Sequence, residues 1–213
     1  MHTLLNARQQ ALIPIAAFTA CGAMDKLDQA LNAGLDAGLT INEIKDVLVQ
    51  LYAYCGFPRS LNALGCFMSV VDARKRQGKV DDEGKSATLP PEGWNSLVAG
   101  TDNQTRLVGQ PVSGPLFDFA PAIDVYLKAH LFGDIFQRDV LDWPTRELAT
   151  IAALAAIQGA ESQLKSHYAI SRHNGITVEQ LRTFIAVLAE KCLPAMAENA
   201  RAVLEQFLNQ QEQ

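Results

Sequence analysis

The chain has 213 residues, of which 48% are apolar, 19% charged and 7% aromatic, and a formal net charge of −5 at pH 7. This length and composition suit one or two globular domains with a sizeable core and exclude a disordered or collagen-like chain; the acidic balance excludes nucleic-acid recognition through a basic face. No apolar run reaches the roughly 18–20 residues that span a bilayer, and the four cysteines and four histidines offer no CxxC pair, zinc-ligand spacing or disulfide framework.

In chain order, residues 8–23 form an Ala-rich segment that is apolar on most sides, as a buried helix would be, with Pro14 expected to kink or break it. Residues 11–24 superficially resemble a signal-peptide core, with Thr19-Ala20-Cys21 near a lipoprotein cleavage pattern. Only Arg8 precedes them as a firm positive charge, and the internal repeat described below accounts for them better. Residues 38–63 carry apolar side chains at Ile44, Val47, Leu48, Leu51 and Tyr52, one face of a helix. Residues 77–115 hold much of the Gly and Pro and read as a linker or surface excursion, with Trp94, Leu97 and Val98 as its anchors. Helical periodicity returns over 117–136 and continues through 146–161. His173 beside Asn174-Gly175 reads as a helix end, and 195–208 carries a stripe of Met196, Ala200, Val203, Leu204 and Phe207 suited to a core or subunit contact. No strand-like alternation is present, so the fold class is all-α.

The chain repeats itself. Residues 38–63 align without a gap on 175–200, placing Gly38 on Gly175, Thr40 on Thr177, Cys55 on Cys192 and Asn62 on Asn199. Each copy begins its helix with a glycine stop, a Thr cap and Glu43 or Gln180 three residues on, the pattern of a capping box. Upstream, 8–23 matches 146–161 with one extra residue in the first copy. The expected organisation is a first repeat over 1–76, the excursion over 77–115 and a second repeat over 116–213.

The segments HLFGDIF, TRELATIAALAAIQGAESQLKSH and NGIT of the second half, with AGLT and LVQLYAYCGFPRSLNA of the first, resemble the carboxymuconolactone decarboxylase family within the alkylhydroperoxidase D-like superfamily. The resemblance covers nearly the whole chain outside the excursion, as two tandem copies. It implies an all-helical fold, usually assembled as homo-oligomers, and a family containing both lactone decarboxylases and peroxidases with a paired-cysteine motif.

For peroxide reduction the motif requires two thiols with a Glu upstream and a His downstream. The second copy matches Glu147 and His167 but has Gly159 and Ser162 near the thiol positions. The first has Cys21 near one thiol position, Met24 at the other and Gln9 in place of the Glu. Cys21 is thus the residue of an alternative, one-cysteine peroxidase reading, set against a plain core role; Cys55 and Cys192 share a helix-face position and read as core.

Decarboxylation instead needs a group that delivers a proton to an extended enolate and donors that stabilise its charge. The resemblance implies His167 as general acid/base and Glu147 as the carboxylate that orients it, with Lys165 nearby. Arg146 is a candidate substrate-carboxylate anchor, although Arg146 and Glu147 also suit a structural ion pair at a helix start. Two fused units are expected to fold as an intrachain pseudo-dimer in which this site faces Tyr52, Tyr54 and Phe57 of the first copy, a Tyr hydroxyl donating to a substrate oxyanion. The reciprocal site, built on Gln9 and Ala30, is expected to be inactive. A non-catalytic ligand-binding protein is a further alternative. The expected setting is a cytoplasmic homo-oligomer, a trimer or dimer of two-unit chains, acting on a small molecule, without nucleic acid or membrane. No phosphate-cradling Gly loop or HExxH motif points to a cofactor or metal.

Overall fold

The computed structural model describes residues 4–211. Among them all regular structure is helical. The first unit comprises α1 (Ala7–Cys21), α2 (Met24–Asp36), α3 (Ile41–Cys55) and α4 (Phe57–Arg76). The second comprises α8 (Trp143–Ala155), α9 (Glu161–His173), α10 (Val178–Lys191) and α11 (Pro194–Gln211). Between them run α5 (Ser96–Val108), α6 (Pro115–Phe119), α7 (Pro121–Tyr126) and a π-helix over Leu127–Ile135. No helix among the described residues is long and apolar enough to cross a membrane.

The repeated caps form as their residue types require. Thr40 accepts a hydrogen bond from the Glu43 amide and the Glu43 side chain accepts from the Thr40 amide; Thr177 and Gln180 do the same in the second unit. Gly38 and Gly175, at φ 89° and 94°, supply the left-handed residue that turns the chain between the paired helices. Pro14 does not break α1, which runs unbroken from Ala7 to Cys21. The helix is buried from Leu12 to Ala20 and packed between α2 and α8, and that packing outweighs the roughly 3 kcal/mol that an interior proline costs.

The two units share one core. α1 lies against α8, and the cross-contacts are reciprocal: α1 meets α10 while α3 meets α8. A single apolar cluster runs through both units, from Leu12, Ile15 and Leu48 to Ile151, Phe184 and Leu188. The chain is therefore an intrachain pseudo-dimer whose dimer interface is the centre of its hydrophobic core.

The segment 77–115, expected as a linker or surface excursion, divides in two. Its first part straps the first unit: the Ile41 and Asn42 amides, otherwise orphaned at the start of α3, donate to the Asp82 and Glu83 carbonyls at 2.9 Å each. Its second part is the packed helix α5. Leu97 and Val98 are exposed there, and the anchors are Gly100, Gln104 and Leu107, all buried. A Cβ on Gly100 would lie 1.7 Å from the Lys128 carbonyl oxygen, and one on Gly133 2.3 Å from that of Ser96, so paired glycines bring α5 and the π-helix into backbone contact. Together they build a second apolar cluster around Leu107, Phe132, Phe136 and Ile170.

Candidate acid/base site

Helix α8 starts where Asp142 accepts from the Thr145 amide at 2.8 Å. Its first turns place Arg146, Glu147 and Thr150 in the interior, each 0% exposed. The Glu147 side chain points to α9, where Oε2 lies 2.7 Å from His167 Nδ1. The imidazole is 13% exposed, so it alone of the pair reaches solvent. Tyr54 comes from the other unit, edge-on to the His167 ring with centroids 6.0 Å apart. Carboxylate, imidazole and phenol thus meet at the seam between α3, α8 and α9.

Two polar atoms at this seam, Tyr54 Oη and Glu147 Oε1, are buried and make no hydrogen bond within the protein. Thr150 stands close to the phenol without reaching bonding geometry. Burial, reinforced by the Glu147 carboxylate, pushes the Tyr54 phenol well above its usual range. The phenol therefore stays protonated and is a pre-positioned hydrogen-bond donor. Glu147 holds Nδ1, which leaves Nε2 as the imidazole atom free to exchange a proton.

Arg146, expected as a substrate anchor, is turned the other way. Its guanidinium is fully buried and pairs with Asp46 of α3, which Arg138 also contacts at 2.6 Å. Gln50 completes the network, accepting from Arg146 at 2.9 Å and donating to the Arg146 carbonyl at 3.0 Å and to Thr150 at 2.9 Å. Both terminal nitrogens of this guanidinium bond within the protein and its buried Nε has no partner, so Arg146 locks α8 to α3 away from His167. This is a structural ion pair, but between the two units and with Asp46 rather than Glu147.

The aromatic trio of the first unit separates. Tyr54 joins His167, whereas Tyr52 stacks on the exposed Phe57 at 4.2 Å and tilts toward His130 at 5.5 Å. Lys165 is half-buried and takes no part in the Glu147–His167 pair. Asp46, Gln50 and Thr150 were missed in the sequence, although Asp46, Gln50 and Tyr54 form an i, i+4, i+8 stripe beside the apolar face of α3. At the reciprocal position, Gln9 is engaged in the α1 capping box with Asn6 and Ala30 is buried. All four cysteines are free thiols, each partly buried. Desolvation raises Cys55 and Cys66 above their usual values and pushes Cys192 up to about 12. Among the described residues no three His, Cys, Asp or Glu side chains gather as metal ligands would.

Two four-helix units fused into one core, with a buried carboxylate–imidazole pair at their seam, define a tandemly duplicated protein of the alkylhydroperoxidase D-like class. The model of the carboxymuconolactone decarboxylase family matches residues 2–67 and 121–206, and the chain belongs to that family. The two matched segments leave out the strap, α5 and α6. No curated protein matches the chain.

Proposed function

We propose that the chain is a cofactor-independent, carboxymuconolactone decarboxylase-like enzyme that performs acid/base chemistry on a small organic acid or lactone. The observation that carries this reading is the 2.7 Å contact between fully buried Glu147 and His167. A buried carboxylate on Nδ1 fixes the ring and leaves Nε2 as the nitrogen that can deliver a proton and recover it.

When a carboxylate on the γ carbon of an α,β-unsaturated lactone departs as CO₂, its bonding electrons pass through the ring double bond into an extended enolate. The Tyr54 hydroxyl would donate to the enolate oxygen, and His167 would protonate carbon through Nε2, with Glu147 stabilising the imidazolium in the intervals between proton transfers. Arg146 has no role in this scheme, since its guanidinium is buried against Asp46 and Gln50. The thiol peroxidase reading through Cys21 has less support, because Met24 and Gln9 stand where that motif has its second thiol and its Glu.

Turnover of carboxymuconolactone and related lactone acids by wild type and His167→Ala tests the proposal. The expected result is a fall in kcat of about 10²–10⁴-fold with KM changed much less. Equal kcat in the two proteins would overturn it.

A further inference from the structure

The internal repeat places a counterpart of the Glu147–His167–Tyr54 site in the first unit. Helices α2 and α9 match at a constant offset, so Ala30 stands where the second unit has His167. Helices α3 and α10 match likewise, so Lys191 stands where the first unit has Tyr54. Replacing an imidazole by a methyl group removes the side chain that fills this seam in the other unit. A cavity of about 290 Å³ opens there, lined by Pro14, Phe18, Gln29, Ala30, Lys26 and Lys191. That volume lies at the small end of the range for ligand sites, roughly 300–1,000 Å³.

The lining is chemically polarised. Pro14, Phe18 and Ala30 form an apolar floor, and Lys26 holds its ammonium over the Phe18 ring, 5.8 Å from the centroid. Neither Lys26 nor Lys191 forms a salt bridge among the described residues, whereas Lys45, Lys79, Lys85 and Lys128 all do. Two uncompensated ammonium groups at the mouth of an apolar recess match an anion with an apolar body, and the Gln29 amide adds a neutral donor. No carboxylate and no imidazole lines this cavity, so nothing there replaces the Glu147–His167 pair.

We propose that this first-unit cavity is a non-catalytic binding site for a small organic carboxylate, whose charge is held by Lys26 and Lys191 and whose apolar body lies on Pro14, Phe18 and Ala30. The duplicated chain would then carry one site that turns over an organic acid and one that only binds such an acid. The second statement stands independently of the first.

Calorimetric titration of the full chain with benzoate tests it, using wild type, the Lys26→Met/Lys191→Met double variant and His167→Ala. Both lysines are exposed, so the double variant is expected to fold. Saturable benzoate binding should persist in His167→Ala and weaken at least tenfold in the lysine variant. Benzyl alcohol, which keeps the ring and loses the charge, should bind at least tenfold more weakly than benzoate. Unchanged affinity in the lysine variant, equal binding of benzyl alcohol, or absence of saturable benzoate binding to wild type would each overturn the proposal. Loss of turnover in His167→Ala alongside retained benzoate affinity would separate the two sites in one variant.

Discussion

The two helical units have the same framework and different chemistry. Thr40 and Thr177 cap matched helices, Gly38 and Gly175 turn the chain before them, and matched apolar faces pack into one core. At the chemically informative positions the units part: Glu147 against Gln9, His167 against Ala30, Tyr54 against Lys191. Arg146 reaches across to Asp46 of the other unit in full burial. Its counterpart Arg8 pairs with Glu43 inside its own unit, half-exposed. Once a duplicated chain supplies both halves of its own interface, packing constrains both copies, whereas side chains outside the shared core are free to differ.

Breaking the cross-unit pair should have the largest effect on stability. Asp46→Ala leaves Arg146 buried without its carboxylate and is expected to cost about 3–5 kcal/mol, whereas Arg8→Ala at the exposed counterpart should cost less than about 1 kcal/mol. Thermal unfolding of the two variants measures the contrast directly, at roughly 2–4 °C in Tm per kcal/mol for a chain of this size. Tyr54→Phe sharpens the chemical side. It should lower kcat by about 10- to 100-fold while leaving Tm unchanged or raised, because the hydroxyl it deletes has no hydrogen bond in the folded protein. A matching loss of Tm and kcat would instead mark Tyr54 as a structural residue.

The thiols distinguish the units less sharply. Peroxide consumption with a dithiol reductant should be negligible in wild type and unaltered by Cys21→Ser; reductant-dependent turnover lost in the variant would transfer the activity to the first unit. The smallest effect concerns the strap, which only the first unit has. The Thr88 amide and hydroxyl hold the Asp139 carboxyl down to about 2. A depressed carboxylate stabilises the fold above its unfolded value, near 3.9, and that contribution is lost as the pH falls through about 2. NMR titration of Asp139 should show this midpoint, and Thr88→Val should raise it toward the ordinary range.

Much of the fold was legible in the sequence because a helical repeat writes itself in local terms. Caps, glycine stops and apolar spacing each involve residues within one or two turns, and both capping boxes formed where Thr40 and Thr177 indicated. Helix α5 was hidden because Gly100 reads as a loop residue from sequence, whereas in the fold it permits backbone contact with the π-helix. The site was only half legible. Glu147 and His167 stood out through resemblance, but Asp46 and Gln50 lie on the polar border of an amphipathic helix, where solvent is the natural assumption. Their partner Arg146 lies about a hundred residues away, and nothing local distinguishes a polar residue that meets a buried guanidinium from one that meets water. Arg146 was misassigned for the same reason.

The central claim is that chemistry resides in one unit only. Side-by-side turnover of His167→Ala and Gln9→Ala on the same lactone acid tests it most directly. The account predicts that His167→Ala loses about 10²–10⁴-fold in kcat while Gln9→Ala, which removes only a helix cap, keeps near-wild-type turnover. Comparable losses in the two variants would contradict it and return both units to catalysis.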